Sequence, residues 1–420
     1  MKQVSKFSLL FLIYCMQLRT PGISQNVTSP YSILGIGDVD TKDFGRYFIT
    51  GNAAIARRDE SAYNFSNPAS LTSLPYKTIH FDIAMRGRSS IFSQPDEETS
   101  SDITKDFVIK RATLAFKLNQ KTGIAFGIKP YSSANYQFND EESILDGNTS
   151  YTKYTDGNGG INQVYASAGK VLGKHLSAGF TASFLFGSLQ RSTQYYSSAI
   201  SLNLLKQDYD FYNGANFQGG IQYYSLPGKK WTHVLGITSS VSTGLSGQLS
   251  SEYFEDGTSI TKEITNNRTF KLPFSAGFGY SASKNNKLTL SLEGNYYSWK
   301  YQKVDYKNSY THPSMRVSAG MEYSFKRNAW QGLVEKSFVG FGVNAENSYF
   351  RINDQKLWDY SVSFGGGINP LRSISVYSGV ELGIKGQKNA GQIQEKYTQF
   401  ILGITIKDIW IGTNKFGRYN

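Results

Sequence analysis

Chemistry in a polypeptide needs acids, bases, thiols or imidazoles at workable spacing, and this chain offers few such sets. Four histidines, His80, His175, His233 and His312, lie far apart and form no HExxH pair, so a metallohydrolase is not expected. The single cysteine, Cys15, excludes a disulfide scaffold and a cysteine-based zinc site. Asp38, Asp40 and Asp43 lie close enough to attract calcium, but the ligand series and closing glutamate of a calcium loop are missing. No nucleophile motif frames the available serines. No catalytic, metal or cofactor-binding residue is assigned, no cofactor is expected, and an enzyme is not expected. What remains is a set of charged residues at alternate positions: Asp82, Arg86, Arg88, Arg111, Glu293, Arg316, Glu322 and Glu381. Two chemistries are open to them. They can pair across a lumen to hold a plug or line a wet path, or an arginine fork can receive a ligand carboxylate. Pairing is the preferred reading.

The elements that position these charges follow a two-residue rhythm. Ile79, Phe81, Ile83 and Met85 alternate with His80, Asp82, Ala84 and Arg86. Met315, Val317, Ala319 and Met321 alternate with Arg316, Ser318, Gly320 and Glu322. Such patterning puts one set on each face of a strand. Fourteen strands are predicted, running from residues 76–92 to residues 395–412. Many exceed the ~5–6 residues usual in globular proteins.

Connections are predicted to alternate. Short turns fall at 119–123, 173–175, 226–230, 283–287 and 369–372, and long polar loops at 93–104, 139–160, 197–209, 251–262, 305–313 and 386–395. The stretch 326–337 breaks the alternation, with a small helix expected at 329–334. Acidic residues such as Asp96, Glu97 and Glu98 gather on the long-loop side, and Lys121, Lys174 and Lys287 on the short-turn side. This is the pattern of an outer-membrane barrel, and closure follows because no strand edge can face hydrocarbon. Tyr195-Tyr196, Tyr223-Tyr224-Trp231, Tyr296-Tyr297-Trp299, Trp358-Tyr360 and Trp410 are expected in interfacial girdles. The alternative is a soluble β protein with these aromatics in its core.

Composition agrees. Aromatics make up 15% of the 420 residues, glycines number 41, and mean hydropathy is −0.38. No apolar run approaches the ~20 residues of a helical span. The net charge of +12 is spread thinly, without the dense basic run of a nucleic-acid binder, and no nucleic-acid partner is expected. Lys2 and Lys6 precede an apolar run to Met16 and then Gly22-Ile23-Ser24, so residues 1–24 are read as an export signal. Residues 25–75 do not alternate and are rich in Gly, Asn, Asp and Ser, with a short helix expected near 51–58. They are read as a segment inside the lumen, and residues 76–420 as the barrel.

The stretch from Gly51 to Leu71, closing on Asn67-Pro68-Ala69 just before the first strand, resembles the hatch of the FadL/TodX-like family of long-chain fatty-acid transporters. Ser29 to Asp38 and the sequence FILGITIKDIW resemble the Bacteroidota branch of that family. The end of the chain, Lys415-Phe416-Gly417-Arg418-Tyr419-Asn420, departs from the terminal aromatic of many outer-membrane proteins. The resemblance implies passive uptake of hydrophobic or amphipathic small molecules across the outer membrane of a Gram-negative cell, within its lipid and lipopolysaccharide. It also implies lateral release at a kink in the third strand, where Pro130, Tyr131 and Ser132 are the expected gate. Pro130 cannot donate to a ladder. Asn67, Pro68 and Ala69 are expected to anchor the hatch. The runner-up is a non-transporting partner barrel of a secretion or outer-membrane assembly complex, PorV-like, with a partner protein on its long loops. A continuous apolar tunnel would favour the first reading; a lumen sealed by hatch and charge pairs would favour the second.

Overall fold

A computed structural model describes residues 29–94, 101–143, 150–197, 202–226, 230–304, 309–329, 332–352, 354–371, 373–388 and 392–409. Residues 1–24, read above as an export signal, and Asp96, Glu97, Glu98, Trp410 and the C-terminal tail lie outside the described residues.

Fourteen antiparallel strands close into a barrel. They are β1 (Thr78–Ser93), β2 (Ser101–Lys117), β3 (Thr122–Ser143), β4 (Ser150–Val171), β5 (Leu176–Ser197), β6 (Leu202–Tyr224) and β7 (Trp231–Ser240 and Gly244–Glu255). Then follow β8 (Thr258–Lys271 and Phe274–Lys284), β9 (Leu288–Ser298), β10 (Ser314–Ala329), β11 (Gly332–Ile352), β12 (Gln355–Leu371), β13 (Ile374–Lys385) and β14 (Gln394–Ile409). β14 pairs back onto β1 from Gln394↔Ser93 to Ile409↔Thr78. The outward set, including Phe126, Phe184, Ile237, Leu292, Val317, Phe341 and Leu402, is exposed. An apolar belt of that extent on every strand fits hydrocarbon as solvent.

Three local expectations are corrected. The polar connections are mostly ladder: β3 and β4 pair out to Ser143↔Ser150, and β7 and β8 are joined by Asp256-Gly257 alone, both at positive φ, the tight-hairpin geometry. Above a membrane both faces of a strand meet water, so pairing persists without apolar side chains. The small helix expected at 329–334 gives way, among the described residues, to strand: Ala329 pairs with Gly332, and Leu333 and Val334 continue that ladder. The helix near 51–58 is replaced by a 3-10 turn at Arg46–Thr50, ended by Gly51 in the left-handed region.

The girdle reading also changes. Neighbours on a strand face opposite sides, so Tyr296 is exposed while Trp299 is buried in the lumen, stacked on Tyr349 at 4.2 Å. Strands β3 to β6 reach 22 or 23 residues, about twice the ~9–11 needed to cross a bilayer, so one side of the wall stands well above the membrane.

Candidate functional site

Residues 29–75 fill the lumen. They form three 3-10 turns, Pro30–Ile33, Arg46–Thr50 and Pro68–Ser73, and one short strand, Asp38–Val39. Most of their residues are buried, and Glu60 alone among them is exposed. The wall is shaped to receive them. A Cβ on Gly123 (β3), Gly169 (β4), Gly179 (β5), Gly236 (β7), Gly320 (β10) or Gly342 (β11) would come within 3.0 Å of a backbone atom of this segment. The glycines let backbone meet wall around most of the circumference.

Hydrogen bonds close the same contact. Ser363 accepts from the Gly51 amide and donates to the Ile49 carbonyl, both at 3.1 Å. Glu293 Oε2 accepts from the amides of Ala54 at 2.6 Å and Ile55 at 2.7 Å.

Charge holds the centre. Arg46 lies over the Phe338 ring and grips two wall carboxylates, Glu322 at 2.9 Å and Glu335 at 2.7 Å. Arg57 takes Glu322 at 2.7 Å and Asp59 at 2.9 Å. Lys42 pairs with Glu381 at 2.8 Å. Arg111 bridges Asp82 of the wall and Asp43 of the segment. Buried charges survive only when paired and hydrogen-bonded. Burial alone would raise the Asp59 carboxyl, but Arg57 and Arg46 hold it down at about 2. Arg58 is one exception. It donates to Ser177, Gln222 and Thr72 and covers Tyr224, without a carboxylate, and burial lowers it to about 10.

The charges read from alternation all face inward, each with a partner. Asp82 takes Arg111, Arg86 takes Asp106, Arg88 takes Glu395 at 2.5 Å, Arg316 takes Glu293 at 2.6 Å, and Glu322 takes Arg46 and Arg57. The aspartates weighed for calcium point to three different cations: Asp38 to Lys385, Asp40 to Lys110 and Asp43 to Arg111. Sequence reasoning missed the segment's own half of these pairs, Lys42, Arg46 and Arg57. The available signal was the balance of acids and bases within a stretch otherwise made of small residues.

Asn67, Pro68 and Ala69 sit where segment meets wall. Asn67 Oδ1 accepts from the Ala69 amide at 3.0 Å and caps the turn Pro68–Ser73. Its Nδ2 donates to Ile55 of the segment at 3.0 Å and to Ile221 of β6 at 3.3 Å. Pro68 presses on Gly169 and Gly179, and Ala69 is fully buried.

Pro130, Tyr131 and Ser132 lie on β3 at a bulge in its ladder with β4. On the other side, β3 pairs with β2 only from Lys117↔Gly123 to Ala112↔Ile128. Among the described residues no β2–β3 pair forms beyond that point, and the seam opens. The segment takes the vacated edge of β3 from within. Asp38 and Val39 pair with Ser133 and Ser132, the Asp40 amide donates to the Tyr131 carbonyl at 2.8 Å, and the Ser29 amide donates to the Asn135 carbonyl at 3.2 Å.

Beside this edge, Ile33, Leu34 and Ile36 pack into an apolar cluster with Tyr136, Phe270, Trp299 and Phe350 of the wall. A remaining cavity of about 240 Å³ between segment and wall is lined both by charged residues, Asp38, Lys42, Arg88, Arg316, Glu346 and Asp359, and by apolar and aromatic ones, Phe44, Ile55, Phe65, Tyr131 and Trp299 among them.

A protein-family model described as BamG matches residues 4–417. No curated protein sequence matches. The fold is FadL-like. A Pseudomonas aeruginosa FadL homologue shares it at a TM-score of 0.60 with 10% identity, over 89% of this chain and 99% of that one. The toluene transporter TodX of P. putida aligns at 0.58 with 11% identity, over 89% and 100%. The CymD monoaromatic hydrocarbon channel aligns at 0.55 with 13% identity, over 88% and 99%.

Proposed function

The chain belongs to the BamG family, and on the geometry of its lumen we propose that it is an outer-membrane barrel that stays sealed and works as a fixed subunit of a secretion or membrane-assembly complex. One observation carries this reading. The luminal segment is seated on wall glycines around the barrel and is tied by buried ion pairs to β2, β10, β11 and β13. Releasing it would leave Glu322, Glu335 and Glu381 buried without their cations, and breaking a buried pair by removing one partner costs about 3–5 kcal/mol. Several such pairs would have to part together. The tall sheet of β3 to β6 offers a rigid surface above the bilayer for a partner protein.

A second reading keeps the expected uptake of hydrophobic or fatty-acid-like molecules with lateral release. The observation favouring it is the open β2–β3 seam beside Pro130. One experiment separates the two. Thr41 Oγ1 donates to Glu346 Oε2 at 2.9 Å, and the sole cysteine, Cys15, lies in the stretch read as an export signal. Cysteines at Thr41→Cys and Glu346→Cys, joined by a short thiol cross-linker, lock segment to wall. The expected result is that cells carrying the locked barrel retain its complex and take up labelled fatty acid no differently from cells carrying the free one. Uptake that depends on the chain and vanishes on locking would establish the transport reading instead.

A further inference from the structure

The outer wall carries a groove that neither reading uses. It runs across the loop-end half of six neighbouring strands, β10 to β14 and β1, with a volume of about 770 Å³. The ladders place its residues at one level. Val317 stands opposite Ala345, Ala345 opposite Tyr360, Tyr360 opposite Ile384, Ile384 opposite Lys396, and Lys396 opposite Ile91. The next outward row runs from Ala319 through Val343, Val362, Leu382 and Thr398 to Ser89, and Ser89 stands opposite Lys105 of β2. Small residues, Ala319, Ala345 and Ser89, make the floor; Ile91, Tyr360, Leu382 and Ile384 are exposed around it. Its size falls within the ~300–1,000 Å³ of sites that take a small ligand.

Two cations stand at one end of this apolar trough. Lys396 and Lys105 are exposed on the lipid-facing side, about 10 Å apart across the strands and about 7 Å along them, from ordinary strand spacing and rise. Neither makes an ion pair among the described residues. A lysine facing lipid is costly at the bilayer mid-plane and tolerated near the interface. Lys396 lies two residues into β14 from its loop end, and Trp358 and Tyr360 stack at 5.7 Å beside it, as an interfacial pair does. Directly below, Phe107 and Phe400 pack ring to ring at 6.3 Å. Ammonium groups at headgroup depth therefore stand at the end of an acyl-sized groove, with aromatic packing beneath them.

We propose that this groove holds one anionic, phosphate-bearing acyl lipid of the surrounding leaflet, its headgroup between Lys105 and Lys396 and an acyl chain along the small-residue floor. The charge complementarity of the two lysines selects the occupant, since a neutral lipid or an apolar partner span gains nothing from them. The proposal is independent of whether the lumen is sealed.

The test is native mass spectrometry of the full-length barrel in detergent, with dioleoyl phosphatidylglycerol or dioleoyl phosphatidylcholine added at equal concentration. The wild-type barrel is expected to retain one phosphatidylglycerol at least about tenfold more often than phosphatidylcholine. K105A/K396A should erase that preference, K105R/K396R should keep it, and A345L should lose the lipid by filling the floor with both charges in place. Correct folding of each variant is read from its heat-modifiable migration. Equal retention of the two lipids by the wild type, no lipid retained, or an unchanged preference in K105A/K396A would overturn the proposal.

Discussion

Arg46 and Arg57 converge on one wall carboxylate, Glu322, and the seating of the luminal segment is most exposed to mutation there. In Glu322→Gln both guanidinium groups lose a charged partner inside the barrel, a change expected to cost about 3–5 kcal/mol of local stability. Limited proteolysis should then cut within residues 46–60 while the wall stays intact; an unchanged digest would contradict the role of the pair. Acid should act on the same cluster through Asp59. Its carboxyl is held at about 2 in the fold against ~3.9 for a free aspartate. A depressed pKa contributes stability above the free value and loses it as pH falls through the folded one. Protection of residues 46–60 should therefore be level at pH 5 and above and decline between about 4 and 2. The wall half of this cluster could be read from alternation, because parity alone puts Glu322 and Arg316 inward. The segment half could not, because irregular backbone has no period from which to infer the direction of Arg46 or Arg57.

Asn67 shows what a short element can do. It caps a six-residue 3-10 turn and also ties Ile55 to Ile221. Asn67→Ala should cost about 0.5–2 kcal/mol from the cap alone, whereas Asn67→Ser keeps a neutral acceptor for the Ala69 amide and loses the Nδ2 donations. Hydrogen exchange at residues 67–74 should rise in Asn67→Ala and less so in Asn67→Ser; equal exchange in the two would show that the cap is not the dominant contribution. The strands themselves were legible almost to the residue on their apolar stretches, since period two and lipid exposure coincide there. Their polar extensions were not, because a ladder with water on both faces carries no apolar signal. The group Tyr296-Tyr297-Trp299 was misassigned for a related reason: adjacency suggested one girdle, while the strand sends Tyr296 to lipid and Trp299 to the lumen.

At the scale of the molecule, a closed apolar wall surrounds a polar body that is bonded to it at most points of contact. Closure could be anticipated from the demand that no strand edge face hydrocarbon. The segment strand that fills the β2–β3 seam could not, since it depends on backbone pairing with the edge of β3 at Ser132 and Ser133, a pairing with no side-chain pattern. Whether the lumen is a passage or a sealed support depends on one property, how firmly residues 29–75 are held. Amide hydrogen exchange of the purified barrel, with and without a fatty acid, measures this directly. The expected result is that the amides of Gly51, Ala54, Ile55 and Ala69 exchange as slowly as those of the neighbouring wall strands and do not respond to the fatty acid. Exchange of these amides within seconds, or deprotection on adding the fatty acid, would contradict the sealed barrel.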